Sequence, residues 1–251
     1  MSDFLERIRK IEGHSANAWP AQSSTPISGW ELRLSPDLSS RRTNSLNAIA
    51  PDSTPFSDVL QAAQGVCLER GVPCHVRLHP LAGGEPIDHL RSLGLSGGGE
   101  TTVEVLDLGT AYSLDPRIRF DEHLSDLWLD TYVSTHHYSE KEQEGIQASL
   151  LSVTIPQGFA VALDEGVPCA VGRAAMTEGL LGIFQIATLV SARRKGFGHA
   201  IVTSLLDWGR RQGASQAYLQ VESGNVPART LYEQLGFEPL YTYDYWTVPS
   251  A

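Results

Sequence analysis

The chain has little cysteine, little methionine and few cations. Three cysteines in 251 residues, Cys67, Cys74 and Cys169, are too few and too scattered for a disulfide framework. No C-x-x-C pair exists, which argues against a structural zinc site, and no metal is expected. Free thiols fit a reducing compartment, so the expected location is the cytoplasm. No apolar run approaches the length of a membrane-spanning helix. The start, MSDFLERIRKIEGH, alternates charges with single apolar residues and lacks the apolar stretch of a secretory leader. Lys and Arg total 19 against 29 Asp and Glu, a formal net charge of −10. Such a surface repels phosphate backbones and anionic lipid, so neither nucleic acid nor a membrane is an expected partner. Hydrophobic residues at 41% and charged residues at 19% nevertheless supply a real core. The length suits one large domain or two small ones.

Read along the chain, residues 14–27 carry few large apolar residues and read as irregular. GWELRL alternates as a half-buried strand, and RTNSLNAI is a second strand candidate. SDVLQAAQGVCLER, 57–70, places Val59, Ala63, Val66 and Cys67 on one face of a helix that Gly71 stops. CHVRLHP follows as a strand, IDHLRSLGL as a short helix and TTVEVLDL as a strand. His75 and His79 share a strand face, but two histidines do not make a metal site. The pattern resets around 109–116, which divides the chain into 1–112 and 113–251. An amphipathic helix is expected over 120–132 through Phe120, Leu124, Leu127 and Tyr132. A second starts at Ser139, whose spacing to Glu142 is that of a capping box. GFAVAL turns at Asp164-Glu165-Gly166 into PCAVGRAAM, a hairpin. An apolar strand over 181–190, a helix over 197–212, the strand AYLQVES, the helix VPARTLYEQLG and the strand LYTYDYWTV complete the chain. Gly71 and Gly213 stand 142 residues apart, as do Leu93-Gly94 and Leu235-Gly236. That common offset suggests an internal duplication.

The segment that carries chemistry is ATLVSARRKGFGHAI. An apolar strand runs into Arg193-Arg194-Lys195-Gly196-Phe197-Gly198, and a helix follows at once. The first amides of a helix lack intrahelical partners, and the macrodipole is positive there. Glycines let those amides approach a phosphate, and the three cations add charge-assisted hydrogen bonds. The spacing is neither that of a P-loop nor that of a dinucleotide-binding fingerprint.

Arg-x-x-Gly-x-Gly resembles the pyrophosphate loop of the GCN5-related N-acetyltransferases (GNAT). Downstream, Asn225-Val-Pro-Ala228-Arg-Thr-Leu231-Tyr232-Glu-Gln-Leu-Gly236-Phe237 resembles that family's Asn-x-x-Ala-x-x-Leu-Tyr-x-x-x-Gly-Phe helix. The resemblance covers about residues 115–248. It implies a mixed, mostly antiparallel α/β (α+β) sheet flanked by helices. The N-terminal half resembles a degenerate second copy, as in tandem members of the family, with Leu90 in the place of Tyr232. No Arg-x-x-Gly-x-Gly loop occurs there, so no second active site is expected.

The resemblance implies acetyl-coenzyme A as co-substrate, entering between the 181–190 strand and the 217–222 strand. Thr188, Leu189 and Val190 would meet the pantetheine arm. Arg193, Arg194, Lys195, Gly196, Phe197, Gly198 and His199 would hold the pyrophosphate, and Asn225 would contact the arm or shape the turn. A primary amine of a small molecule would attack the thioester directly, with Tyr232 as the acid that protonates the leaving thiolate. Gln185, Glu222, His136 and His137 are the acceptor-side candidates; an amide cannot usefully accept a proton, so the general base stays open among Glu222, His136, His137 and water. A non-catalytic acyl-coenzyme A-binding module and a peptide N-terminal acetyltransferase stay open as alternatives, as does a homodimer.

Overall fold

A computed structural model describes residues 2–109, 112 and 114–249. The chain divides into two compact units. The first comprises Met1–Val103, Glu222–Gly224 and Leu240–Ala251, and the second Glu104–Val221 and Asn225–Pro239. The division therefore differs from the expected 112/113 boundary. It falls inside a strand, and the last strand of the chain belongs to the first unit.

The first unit runs α1 (Ser2–Ala18), β1 (Ser23–Ile27), β2 (Trp30–Leu34), β3 (Ser45–Ala48), α2 (Phe56–Arg70), β4 (Cys74–Leu78) and α3 (Glu85–Ser92). It continues into the early residues of β5 (Gly98–Asp107). Its sheet order is β1-β2-β3-β4-β11, where β11 is Glu238–Val248. Residues Asp244 to Val248 pair antiparallel with Leu78 to Cys74, and Trp246 and Val248 sit in this unit's core. That long-range pairing is why the last strand leaves the second unit. The last turn of helix α1 and strand β1 occupy the stretch 14–27 that reads as irregular in the sequence. The buried Ile8, Ile11 and Ala18 recur at helical spacing but are masked by the charges between them.

The second unit takes the rest of β5 and then β6 (Ile118–Asp121), α4 (Asp126–Ser134), α5 (Glu140–Leu151), β7 (Gln157–Asp164), β8 (Val167–Thr177) and β9 (Leu180–Thr188). Helix α6 (Phe197–Arg211), β10 (Gln216–Glu222, to Val221 here) and α7 (Val226–Gln234) follow. Its order is β10-β9-β8-β7-β6. The helix expected over 120–132 starts later. Phe120 is a strand residue opposite Ala160, and α4 begins where the Ser125 hydroxyl accepts from the Trp128 amide at 3.3 Å. The capping box at Ser139 and Glu142 is present on α5. Three hairpins turn on two residues of positive φ, Ser28-Gly29, Glu165-Gly166 and Glu178-Gly179. Two consecutive positive φ values define the turn whose twist matches that of the strands.

The two units share one construction. In each, an antiparallel run of strands ends in a parallel pair, β3 with β4 and β9 with β10. A helix crosses between the members of each pair and another follows. The glycines 142 residues apart all take positive φ: Gly71 65° and Gly213 92°, Gly94 75° and Gly236 89°.

In the second unit, neighbouring strand residues point to opposite faces. On one face Gly158 and Gly172 let α6 press down: a Cβ there would meet Trp208 and Ile201. On the other, Phe159 meets Trp128 of α4 edge-on with ring centroids 5.4 Å apart. The site below is built on a sheet sandwiched in this way.

Candidate active site

The site begins with a fault in strand pairing. β9 and β10 pair in parallel from Leu180 with Gln216 to Ile183 with Leu219, and the pairing ends there. Both strands continue, so the edge of β9 past Ile183 is released from β10. The cause lies on the other side of β9. Phe184 faces Arg173 and Ala187 faces Val171, so Gln185 and Ile186 together oppose Gly172 alone. This is a β-bulge, with Gln185 at φ +53°, and a bulge bends its strand. The buried Arg173 guanidinium holds it. Its Nε donates to Gln185 Oε1 at 2.6 Å and another nitrogen donates to Gln157 Oε1 at 2.9 Å. Gln185 is thus anchored by its amide oxygen, and an amide offers no useful proton acceptor.

Past the bulge, Thr188 and Leu189 are half-buried and Val190 is exposed. A short 3-10 turn over Val190–Ala192 leads to Arg193 in extended conformation. Arg194 (φ +64°) and Gly196 (φ +82°) are left-handed, which aims the chain into α6. Gly196 is the N-cap of α6, no side chain caps the helix, and its first turn holds no acidic residue. The amides of this turn are therefore left for another acceptor, which is what an anion site requires.

The three cations have separate roles. Lys195 Nζ reaches Asp164 Oδ2 at 2.8 Å. Arg193 Nε donates to the Thr188 carbonyl at 3.4 Å. Arg194 is exposed, as is His199. Phe197 is buried, with the Arg117 guanidinium 4.7 Å above its ring. It anchors the loop and presents only its amide. At Gly198 a Cβ would lie 3.4 Å from the Leu231 side chain of α7, so the start of α6 abuts the turn that carries Tyr232.

Asn225 is the N-cap of α7, its Oδ1 accepting from the Ala228 amide at 3.3 Å. Tyr232 is buried and packs edge-on against Phe237 with centroids 6.0 Å apart. Burial, and then the charge of Glu104, pushes its phenol up to about 12. Glu104 is itself buried, and burial raises its carboxyl above the usual range although Arg229 opposes this. Its Oε1 lies 3.5 Å from Arg229 Nε, and its Oε2 has no partner.

His136 and His137 are exposed between α4 and α5. The His136 ring stacks on Tyr138 at 4.8 Å and 20°, and the hydroxyls of Tyr132 and Tyr138 lie 3.2 Å apart. Glu222 is exposed at the last residue of β10 and groups with the first unit. The structure thus gathers the 188–199 loop and the Tyr232 helix, and it supplies three residues the sequence did not flag: Arg173, Glu104 and Arg229. An arginine inside the apolar run PCAVGRAAM was the one readable signal. Among the described residues no group of three His, Cys, Asp or Glu could hold a metal, and no helix is long and apolar enough to cross a membrane.

A strand pair that opens beside a glycine-started helix end, on this sheet order, defines a GNAT-type acetyltransferase fold. Residues 6–246 match the family model described as "Probable histone acetyltransferase Rv0428c C-terminal". The chain belongs to that family, and with it to the GNAT acetyltransferases. It is similar to YobR of Bacillus subtilis (strain 168), described as an uncharacterized N-acetyltransferase, at 24% identity over 246 residues, 96% of this chain and 98% of that one. It is similar in fold to a GCN5-related N-acetyltransferase from Kribbella flavida, with TM-score 0.72, 15% identity, and 97% and 96% of the two chains covered. It is likewise similar to a tandem GNAT protein from the clavulanic acid biosynthesis pathway, with TM-score 0.70, 11% identity, and 96% and 88% covered. The fold is that of enzymes that move acyl groups from acetyl-coenzyme A.

Proposed function

We propose that the second unit binds acetyl-coenzyme A and transfers its acetyl group to a primary amine of a small molecule. The observation that carries this reading is the released edge of β9 running directly into the uncapped start of α6. The pantetheine arm carries amides that can pair with the free edge at Thr188 to Val190, as an added strand would. The pyrophosphate then meets the amides of Arg194 to His199, with the Arg194 side chain in reach.

The acceptor attacks as a neutral amine, because an ammonium has no lone pair. Nitrogen bonds to the thioester carbon, the C–S bond breaks, and the thiolate leaves. Tyr232 is the acid for that thiolate. A phenol held at about 12 keeps its proton at any working pH. It donates a hydrogen bond to the departing sulfur and passes the proton as negative charge builds there, at a small uphill cost that burial of the phenol sets. The proton lost by the amine goes to a group on the acceptor side or to water.

In the first unit the matching helix start is already filled. The Glu85 carboxylate accepts from the Phe56 amide of α2 at 3.0 Å, and Asp58 adds a negative charge to that first turn. The reading is therefore one cofactor per chain.

A peptide amine is a second reading, favoured by the histone-acetyltransferase description of the matching family and by one short similarity. Over 55 residues, 22% of this chain and 37% of the other, the sequence is 36% identical to the bS18-alanine N-acetyltransferase of Escherichia coli (strain K12). The test is turnover: purified protein with acetyl-coenzyme A against a panel of small amines and short peptides, read by free thiol release. Amine-dependent release that Tyr232→Phe suppresses supports the enzyme. Tight binding with no release from any amine reduces the protein to a coenzyme-binding module.

A further inference from the structure

The first unit holds two cysteines that no part of the acetyl-transfer chemistry uses. Cys67 lies in the last turn of α2 and Cys74 opens β4. The neighbouring Cys74 thiol draws the Cys67 thiol below its ordinary range, while Cys67 and burial push Cys74 well above it. The geometry follows from the chain between them. Gly71, left-handed at φ +65°, reverses the backbone. The Val72 amide closes on the Cys67 carbonyl at 3.1 Å. Cys74 is then fixed by its place in the ladder opposite Val248. Both thiols also line one cavity of about 200 Å³, bounded by Gln64, Leu68, Val72 and Pro249. Leu68 at its rim is 64% exposed, so the cavity is within reach of a small solute although the sulfurs are buried.

We propose that Cys67 and Cys74 are a modification site: a dithiol that a peroxide converts to a reversible intramolecular disulfide. Cys67 and Cys74 line the same small cavity from the two ends of one tight turn, and both are held by regular structure, so closure needs neither element to move far. Cys67 is the better nucleophile, because the neighbouring Cys74 thiol favours its thiolate. The negative end of α2 works against that thiolate, so the reaction is slow beside that of a dedicated peroxidase.

The step balances. The Cys67 thiolate attacks one peroxide oxygen, the O–O bond breaks, and a sulfenic acid and hydroxide result. The Cys74 thiol then attacks the Cys67 sulfur, the S–O bond breaks, and water leaves. Two thiols and one hydrogen peroxide become one disulfide and two waters, and a dithiol reductant reverses the change. Cys169 serves as an internal control. It lies in the second unit, where its Sγ donates to the Ala162 carbonyl at 3.4 Å.

The experiment uses the whole folded chain. Protein is treated with hydrogen peroxide, quenched, unfolded in iodoacetamide and weighed by mass spectrometry, with and without dithiothreitol. The expected product is monomeric, carries alkylation at one of its three cysteines, Cys169, and is lighter by about 2 Da before alkylation. Reduction restores all three. Cys169→Ser still forms the bridge, and neither Cys67→Ser nor Cys74→Ser does. Three alkylatable thiols after oxidation, sulfinic acid without a bridge, or a bridge between chains would overturn the proposal.

Discussion

Gly196 and Gly198 can be separated by substitution, because the structure gives them different reasons to be glycine. Gly196 sits at φ +82°, and a Cβ there would meet nothing within 4 Å. Gly196→Ala therefore adds no clash but forces a side chain into the left-handed region, at a cost of about 1–2 kcal/mol. Gly198 lies inside the first turn of α6 with an ordinary helical backbone, and its Cβ would lie 3.4 Å from the Leu231 methyl. Gly198→Ala should gain up to about 1 kcal/mol from helix propensity, less whatever Leu231 must give. A methyl there covers the amides that are proposed to face the pyrophosphate, so affinity for acetyl-coenzyme A should fall at least about tenfold, roughly 1.4 kcal/mol. Urea denaturation gives the stabilities and titration calorimetry the affinities. The reasoning requires that Gly198→Ala be as stable as the parent, or more so, and bind more weakly. A Gly198→Ala protein that binds like the parent, or one destabilised by a kilocalorie or more, would refute it.

Tyr232→Phe should lower kcat by about 10²- to 10⁴-fold while calorimetry shows the acetyl-coenzyme A affinity little changed; equal kcat removes the phenol from the reaction. Arg173→Met leaves the oxygens of Gln157 and Gln185 without their donor and should cost about 2–4 kcal/mol in urea. It should also raise KM for acetyl-coenzyme A, because the bulge it holds opens β9; an unchanged KM would show that the bulge stands without it. In the first unit, His79 is buried with neither ring nitrogen hydrogen-bonded. Burial holds its pKa down to about 4, against 6.5 for the free side chain. A depressed folded pKa gives stability that is whole above 6.5 and is lost as pH falls from 6.5 towards 4, roughly 3 kcal/mol in all. His79→Leu should flatten that slope in denaturation at pH 7 and pH 4.5, and an equal slope in both proteins would contradict it.

Much of the second unit was legible because its signals are local. The capping box at Ser139, the Glu165-Gly166 turn and the glycine stop at Gly213 each act through a few neighbouring residues. The Arg193–Gly198 loop was legible for the same reason. What stayed hidden depends on distant pairing. That β11 completes the first unit's sheet follows from Trp246 and Val248 facing Val76 and Cys74, a match of two apolar strands that nothing in either segment announces. The spacing of Phe120 to Leu124 and Leu127 fits a helix. The Ser125 cap, which starts α4 later, decides otherwise. Arg173 and Glu104 owe their roles to partners more than ten residues away, so composition alone does not assign them.

The central claim concerns where the cofactor sits. Hydrogen exchange read by mass spectrometry, with and without saturating acetyl-coenzyme A, tests it directly. Exchange should slow in peptides covering 187–199 and stay unchanged over 49–59, where Glu85 already accepts from the Phe56 amide of α2. Protection over 49–59, or none over 187–199 while calorimetry shows binding, would contradict it.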